Sequence, residues 1–419
     1  RDVTGVQTCA LPILVARDII PEMSLTPVRP AERIQTLDVL RGFALFGILV
    51  ANWRGFAWPA EFYPVPSSVL HGAADLRAQF AVDLLFGNKF ISLLSLLFGT
   101  GFAIQLDRAS SRGASFPIFF ARRLAGLALI GCVHAFLIWW GDILLTYAAA
   151  GALLLLFRNS GQRTLLAWAG ALVLLPFWLS LWRVLTYVPR AAASAPATPV
   201  SDIVARAAHA YTQGPWPARL RQNFHDWTVN NADGYFTVIV VLAWFLAGVY
   251  LWRSGFLQRL ADRKALLKRV CAGCLVFGVG GLLLVLAIRQ NVRPSPVRLP
   301  ALLLAAAFLR TAATVAVSIG YAAGIALFTL SGRLPRLRGG LQAVGRTALS
   351  NYLLQSIIGT ALNHGFGLYA KTGAFPALLL SVAIFGLQMP LSAWYLSRRA
   401  MGPAEWLWRR VSYGRPAAL

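Results

Sequence analysis

The feature that most restricts this chain is a succession of apolar runs, each close to the roughly 20 residues that an α-helix needs to cross ~30 Å of hydrocarbon. They recur near residues 36–56, 79–105, 116–139, 142–157, 164–187, 234–252, 270–288, 301–330, 346–369 and 375–397. Backbone amides inside a bilayer must be satisfied within the segment itself, so runs of this length enter as helices. The expected fold is all-α, a polytopic transmembrane bundle of about ten helices. Composition points the same way: 58% of the 419 residues are hydrophobic and 13% are charged, far from the balance of a soluble domain.

A formal charge of +24 would suit a nucleic-acid partner if the cations lined one exposed face. Instead they fall in short clusters between apolar runs. Arg108, Arg112, Arg122 and Arg123 share one gap, Arg158 and Arg163 another, and the segments after residues 252, 332 and 397 are similarly basic. Every second gap is cationic, which by the positive-inside rule places both termini in the cytoplasm. Nucleic acid is therefore excluded as a partner, and anionic lipids at the cytoplasmic face are expected instead. Arg289, Arg293 and Arg298 depart from the pattern by facing outward.

The opening RDVTGVQTCALPI carries neither an initiating Met nor a cationic start ahead of an adequate apolar core. Residues 1–22 are read as a non-native leader of translated adapter sequence, with the natural chain expected to begin at Met23. Residues 23–419 then form a single integral-membrane domain. Within it, 188–233 opens on the Pro/Ala tract PRAAASAPATP and is expected as an external loop or cap. Its His209, Tyr211, Trp216, His225 and Trp227 suit either contact with a polar acceptor or rest on lipid headgroups. Cys271 and Cys274 form a CxxC without a second pair or a nearby His, so they read as small packing residues and no metal is assigned.

Ionisable residues inside the membrane are costly, at least ~2.5–3.5 kcal/mol each at mid-bilayer, and mark interior or water-filled faces. Asp38 and Arg41 in the first helix stand three residues apart, a spacing that pairs them on one face. Asn52, eleven residues beyond Arg41, returns to nearly the same face. The third helix repeats this interval with Arg123 and His134. After the Gly141 turn, Asp142 can cap the following helix or orient the His134 imidazole. In GRTALSNYLLQSIIG, Thr347, Asn351 and Gln355 form a ribbon at i, i+4 spacing, which serves as interhelical glue or as a ligand surface. Asp83 and Lys89 are expected as mutual or interfacial partners.

Five segments in order, RIQTLDVLRGFALFGILVAN, KFISLLSLLFGTGFAIQ, RRLAGLALIGCVHAFLIWWGDILLTYA, GRTALSNYLLQS and GPAEWLWRRVSY, resemble the YeiB-like family of bacterial inner-membrane proteins of unknown function. The stretch LDVLRGFAL is also similar to the first helix of membrane acyltransferases that acetylate surface sugars or heparan glucosamine. The sugar O-acetyltransferases often close this helix with a His where this chain has Asn52. The glucosamine type has Asn there and an active His in the following outer loop, where this chain offers His71.

The resemblance implies a multi-pass protein of the bacterial cytoplasmic membrane that moves an acyl group from cytoplasmic acyl-CoA to a hydroxyl or amine of an envelope glycan or lipid. Acyl-CoA would be a co-substrate, with no permanently bound cofactor. In that scheme His134 is the general base with Asp142 orienting it, and His71 is the rival base. Arg122, Arg123 and Arg346 would meet the CoA phosphates, since guanidinium groups grip phosphate oxygens bidentately. Arg41 with Asp38 would line the path of the pantetheine arm, and Asn52, Asn351 and Gln355 complete the candidate binding residues. A small-molecule transporter using the same polar stripes, or a non-catalytic scaffold, are the competing readings.

Overall fold

The computed structural model describes residues 34–62, 72–111, 115–185, 199–232, 234–291 and 299–413. Residues 1–22, expected as a leader, and His71 lie outside the described residues. The elements are α1 (Gln35–Ala57), α2 (Gly72–Leu85), α3 (Lys89–Ser111), α4 (Phe116–Val133), α5 (Leu144–Leu154), α6 (Gln162–Leu185), α7 (Val200–Thr212) and α8 (Trp216–Asn230). They continue as α9 (Gly234–Arg253), α10 (Lys264–Asn291), α11 (Leu299–Ser331), α12 (Pro335–Arg346), α13 (Ala348–Thr360), α14 (Ala374–Arg398) and α15 (Pro403–Tyr413). Among the described residues there is no strand, and seven helical stretches are long and apolar enough to cross a membrane. The chain is an all-α membrane protein.

α1 is the hub, packed against α3, α11, α12, α13 and α14. Small residues set the closest approaches, as expected where lipid supplies no hydrophobic drive between helices. Gly99 of α3 sits against the Phe245 backbone of α9, and Gly248 of α9 against the Leu96 carbonyl. Thr100 Oγ1 reaches both Leu96 O and Gly248 O. Aromatic rings fill the spaces between these contacts: Phe98 stacks on Phe245, with centroids 4.5 Å apart.

Three regions differ from the expectation drawn from the sequence. The run near 79–105 is two helices, because Asn88 adopts a left-handed φ of 59° between α2 and α3, a conformation Asn tolerates through its short polar side chain. Lys89 Nζ donates to the Asp83 carbonyl across this break, while the Asp83 carboxylate pairs with Arg54 at 2.9 Å. The expected Asp83–Lys89 pairing is thus met only through the backbone.

The 188–233 segment contains two helices, α7 and α8, which fold back over the bundle end opposite the arginine-rich one. Each starts directly after a proline. The stretch before residue 346 is helical as well: α12 runs antiparallel to the first turns of α1, with Gly345 against the Asp38 carbonyl and Gly42 against the Leu341 carbonyl. No Cβ fits at either glycine.

Candidate functional site

α1, α3, α4, α13 and α15 enclose a cavity of about 710 Å³ at the arginine-rich end of the bundle. Its wall follows α3 from Leu94 to Ser111, about 25 Å of helix at roughly 1.5 Å rise per residue. The outer part of the cavity is charged, with Arg41, Arg108, Arg123, Arg346 and Arg409 set against Asp38, Asp107 and Glu405. Deeper in, Leu45, Leu94, Leu97, Phe98, Phe102, Leu127 and Leu144 make it apolar. A ligand with an anionic head and a less polar arm matches this gradient.

Local structure holds the cations in place. Arg41 donates to Asp38 Oδ1 at 2.6 Å, as the i, i+3 spacing requires. The Arg123 guanidinium lies 3.6 Å from the centroid of the Trp408 ring, and Trp408 Nε1 donates to the Arg123 carbonyl. Such a cation–π contact orients the guanidinium without neutralising it. Glu405 accepts from Leu349 N, Ser350 N and Ser350 Oγ, satisfying the first turn of α13. Burial pushes the Glu405 carboxyl above its ordinary range despite these bonds. The closing GPAEWLWRRVSY segment is therefore a clamp on the cavity mouth.

At the inner end stands Tyr352, which lines the cavity and whose ring meets that of His134, with centroids 4.9 Å apart. His134 is fully buried. It begins a π turn, His134–Ile138, that widens α4, a distortion frequent at functional sites. Its Nδ1 lies 2.8 Å from Asp142 Oδ1, and Asp142 Oδ2 accepts from Leu145 N at 2.7 Å. Asp142 thus performs both roles considered from the sequence, capping α5 and orienting the ring. On the other side of the imidazole, Nε2 lies 2.9 Å from Ser356 Oγ. Ser356 was not singled out from the sequence; it lies 222 positions from His134, and no local spacing connects them.

The other expected site residues separate from this centre. Arg122 is exposed and does not line the cavity, because α4 turns only the Arg123 side inward. Asn52 is half-buried and also outside it, so the polar stripe of α1 stops after Arg41 at the cavity. Asn351 Nδ2 donates to Ser392 Oγ and Thr347, and Gln355 Nε2 to Gln388 Oε1. Their ribbon faces α14 as interhelical glue. Asp38, Arg41, Arg123 and Arg346 do share the cavity, while His134 and Asp142 adjoin its inner wall.

At the opposite end, α8 is hydrogen-bonded to the bundle. Asn223 of α8 donates to Ala135 O at 2.6 Å, supplying a partner to a carbonyl in the π turn. Asp226 accepts from Tyr211 Oη and Gln222 Nε2, and His225 Nε2 lies 2.9 Å from Glu61 Oε1. Burial pushes Asp226 up to about 6 and holds the Tyr211 phenol well above its ordinary range. Glu61, His225 and Asp226 bring three ligand atoms within 4.8 Å of one another and could hold a metal. Both Asp226 oxygens are already satisfied, so the cluster also works as it stands, as a staple between cap and bundle.

A family model described as "Protein of unknown function (DUF418)" matches residues 251–415, the part that supplies α12, Ser356 and the Glu405 clamp. Over 407 residues the chain is 33% identical to the uncharacterized protein YxaH of Bacillus subtilis strain 168, covering 93% of this chain and 96% of that protein. The chain belongs to the DUF418 family. It is also 29% identical over 407 residues to the uncharacterized protein YeiB of Escherichia coli K12, across 91% of this chain and 96% of that protein. An uncharacterized 39.9 kDa protein of Bacillus acidopullulyticus is 26% identical over 398 residues. Similarity to the first two of these relatives covers more than nine-tenths of the chain and so extends well beyond the family match at residues 251–415.

Proposed function

We propose that this DUF418 protein is an acyltransferase of the bacterial cytoplasmic membrane, using acyl-CoA from the arginine-rich side and a hydroxyl or amine of an envelope molecule as acceptor. The observation that carries this reading is the arrangement along one line: five arginines at the mouth, an apolar middle, and a buried His134–Asp142 pair behind Tyr352 at the inner end. Arginines at the mouth match the phosphates of CoA, and the apolar depth matches the thioester end.

His134 would act as general base. With Nδ1 donating to Asp142, its Nε2 is free of a proton and can accept one from the attacking group. The Asp142 carboxylate favours the imidazolium that results, as the third member of a triad does. Over the whole transfer the thioester C–S bond breaks, an ester or amide bond to the acceptor forms, and CoA leaves as the thiol with the proton that His134 has taken up. Arg41, Arg123 and Arg346 hold the donor while this happens.

The test separates binding from chemistry in purified protein. His134→Ala should keep acyl-CoA affinity and lose transfer by about 10²–10⁴-fold. Arg123→Ala should weaken acyl-CoA binding about tenfold, more steeply at low salt. His71→Ala should remain active. Transfer that survives His134→Ala and disappears in His71→Ala would move the base to the outer loop; vesicle uptake of a solute without any acyl transfer would replace the enzyme by a transporter.

A further inference from the structure

We infer that Ser356 is an acyl-accepting nucleophile, so that the transfer proceeds in two halves through an acyl ester on this chain. The inference rests on the acyltransfer reading for its donor and on separate geometry for the serine. Ser356 Oγ, His134 and Asp142 form one unbroken hydrogen-bonded line, 2.9 Å to Nε2 and 2.8 Å from Nδ1 to the carboxylate. These are the distances and the order of contact that activate a hydroxyl for acyl transfer on unrelated folds.

The direction of the serine proton follows from the inventory of donors. In the neutral imidazole, a carboxylate at Nδ1 keeps the ring proton on that nitrogen, which leaves Nε2 able only to accept. The Ser356 hydroxyl has one proton and two acceptors nearby, Nε2 at 2.9 Å and the Tyr352 carbonyl at 3.3 Å. The shorter contact takes it. The first proton that His134 can remove is therefore that of Ser356, ahead of any group brought in by an acceptor.

A purely structural link between α4 and α13 needs no ionisable chain. A Ser–Ser or Ser–backbone contact would join the helices without burying a carboxylate and an imidazole, whose desolvation is costly even when paired. All three residues are nearly inaccessible, and among the described residues Tyr352 both lines the cavity and makes a ring contact with His134. Its hydroxyl lies 3.4 Å from the Gly141 carbonyl and also takes a hydrogen bond from the Ile143 backbone. Removing the Tyr352 ring would open the triad to the cavity.

In the first half, Ser356 Oγ attacks the thioester carbonyl as His134 Nε2 takes its proton. The C–O bond forms, the C–S bond breaks, and the thiolate leaves as CoA thiol with the proton from His134. In the second half the acceptor hydroxyl or amine attacks the serine ester, gives its proton to His134, and the released Ser356 oxygen recovers it. No redox partner is needed.

Two probes distinguish failure of this inference from failure of the donor assignment. A fluorophosphonate reports an activated serine whatever the natural donor, and acetyl-CoA carrying a labelled acetyl group reports the ester itself. Both should label the peptide containing Ser356 in the absence of acceptor, the acetyl label being released by hydroxylamine. Ser356→Ala, His134→Ala and Asp142→Asn should reduce labelling by both probes at least tenfold, Tyr352→Ala should hasten it, and Ser356→Cys should restore acetyl labelling as a thioester. Fluorophosphonate labelling without acetyl labelling would keep the serine and overturn acyl-CoA as donor. Loss of labelling by both probes in wild type and in folded Tyr352→Ala, or wild-type transfer rates in Ser356→Ala, would overturn the nucleophile.

Discussion

The two ends of this bundle solve opposite problems with similar residues. At the arginine-rich end, charged side chains surround a cavity and are held from behind: Arg41 by Asp38, Arg123 by the Trp408 ring, the first turn of α13 by Glu405. At the capped end, His225 pairs with Glu61 and Tyr211 with Asp226, and Asn223 closes on the π turn. Charge held in place at the edge of a void is arranged for an incoming ligand; charge consumed in mutual hydrogen bonds is arranged to keep elements together. His134 lies between the two, covered by the cap on one side and separated from the cavity by Tyr352 on the other.

The contrast breaks most visibly at Gly345. A methyl group there has no space beside the Asp38 carbonyl, so Gly345→Ala should force α12 from α1 and abolish folded, monodisperse protein. Gly365→Ala, near the capped end with nothing within 4 Å of the new carbon, should leave yield unchanged. Equal yields would show that the cavity wall is not built on that backbone contact.

At the cap, the difference can be sharpened by pH. Burial raises Asp226 from 3.8 to about 6, so between these values the docked cap binds more protons than the opened one. Docking is strongest below the lower value and weakens as pH rises through about 6, by at most about 3 kcal/mol. Hydrogen exchange across α7 and α8 should therefore slow on acidification from pH 7 to pH 5, after correction for intrinsic rates. Glu61 and His225 face the same carboxylate, so the discriminating comparison is Asp226→Asn, which should flatten most of the profile. An unchanged profile would assign the dependence to the Glu61–His225 pair. The smallest effect belongs to Trp408→Leu, which removes the ring over Arg123 and should weaken acyl-CoA binding by about 1 kcal/mol, roughly fivefold in Kd.

What could be read from the sequence follows the range of the forces involved. Hydropathy is local, so each of the ten apolar runs corresponds to helical structure. Helical spacing is also local, and it pairs Asp38 with Arg41 and brings both to the same cavity as Arg123. His134 and Asp142, eight positions apart across one turn, were within reach of the same reasoning. Ser356 was not, because its partner comes from another helix; the i, i+4 ribbon points to Thr347, Asn351 and Gln355, of which Asn351 and Gln355 bond to α14 instead.

α12 was hidden for a related reason. PRLRGGLQAVGR has arginines and a glycine pair that suit a cytoplasmic loop, and only contact with α1 makes Gly345 an advantage. The cap helices were obscured by the Pro/Ala tract before them and by polar sequence whose apolar residues need a bundle end to cover. In each case the missing information was the identity of the neighbour.

The central claim, that acyl-CoA enters the cavity with its acyl end toward His134, is tested most directly by photo-cross-linking with an acyl-CoA carrying a diazirine at the end of a short acyl chain. α4 provides an internal control, since Leu127 lines the cavity and is 3% exposed whereas Leu129, two residues on, is 62% exposed on the outer face of the bundle. The account predicts adducts at Leu127 and on Tyr352, suppressed by excess unlabelled CoA and diminished in Arg123→Ala. Adducts confined to Leu129 and other outward residues, unaffected by CoA, would contradict it.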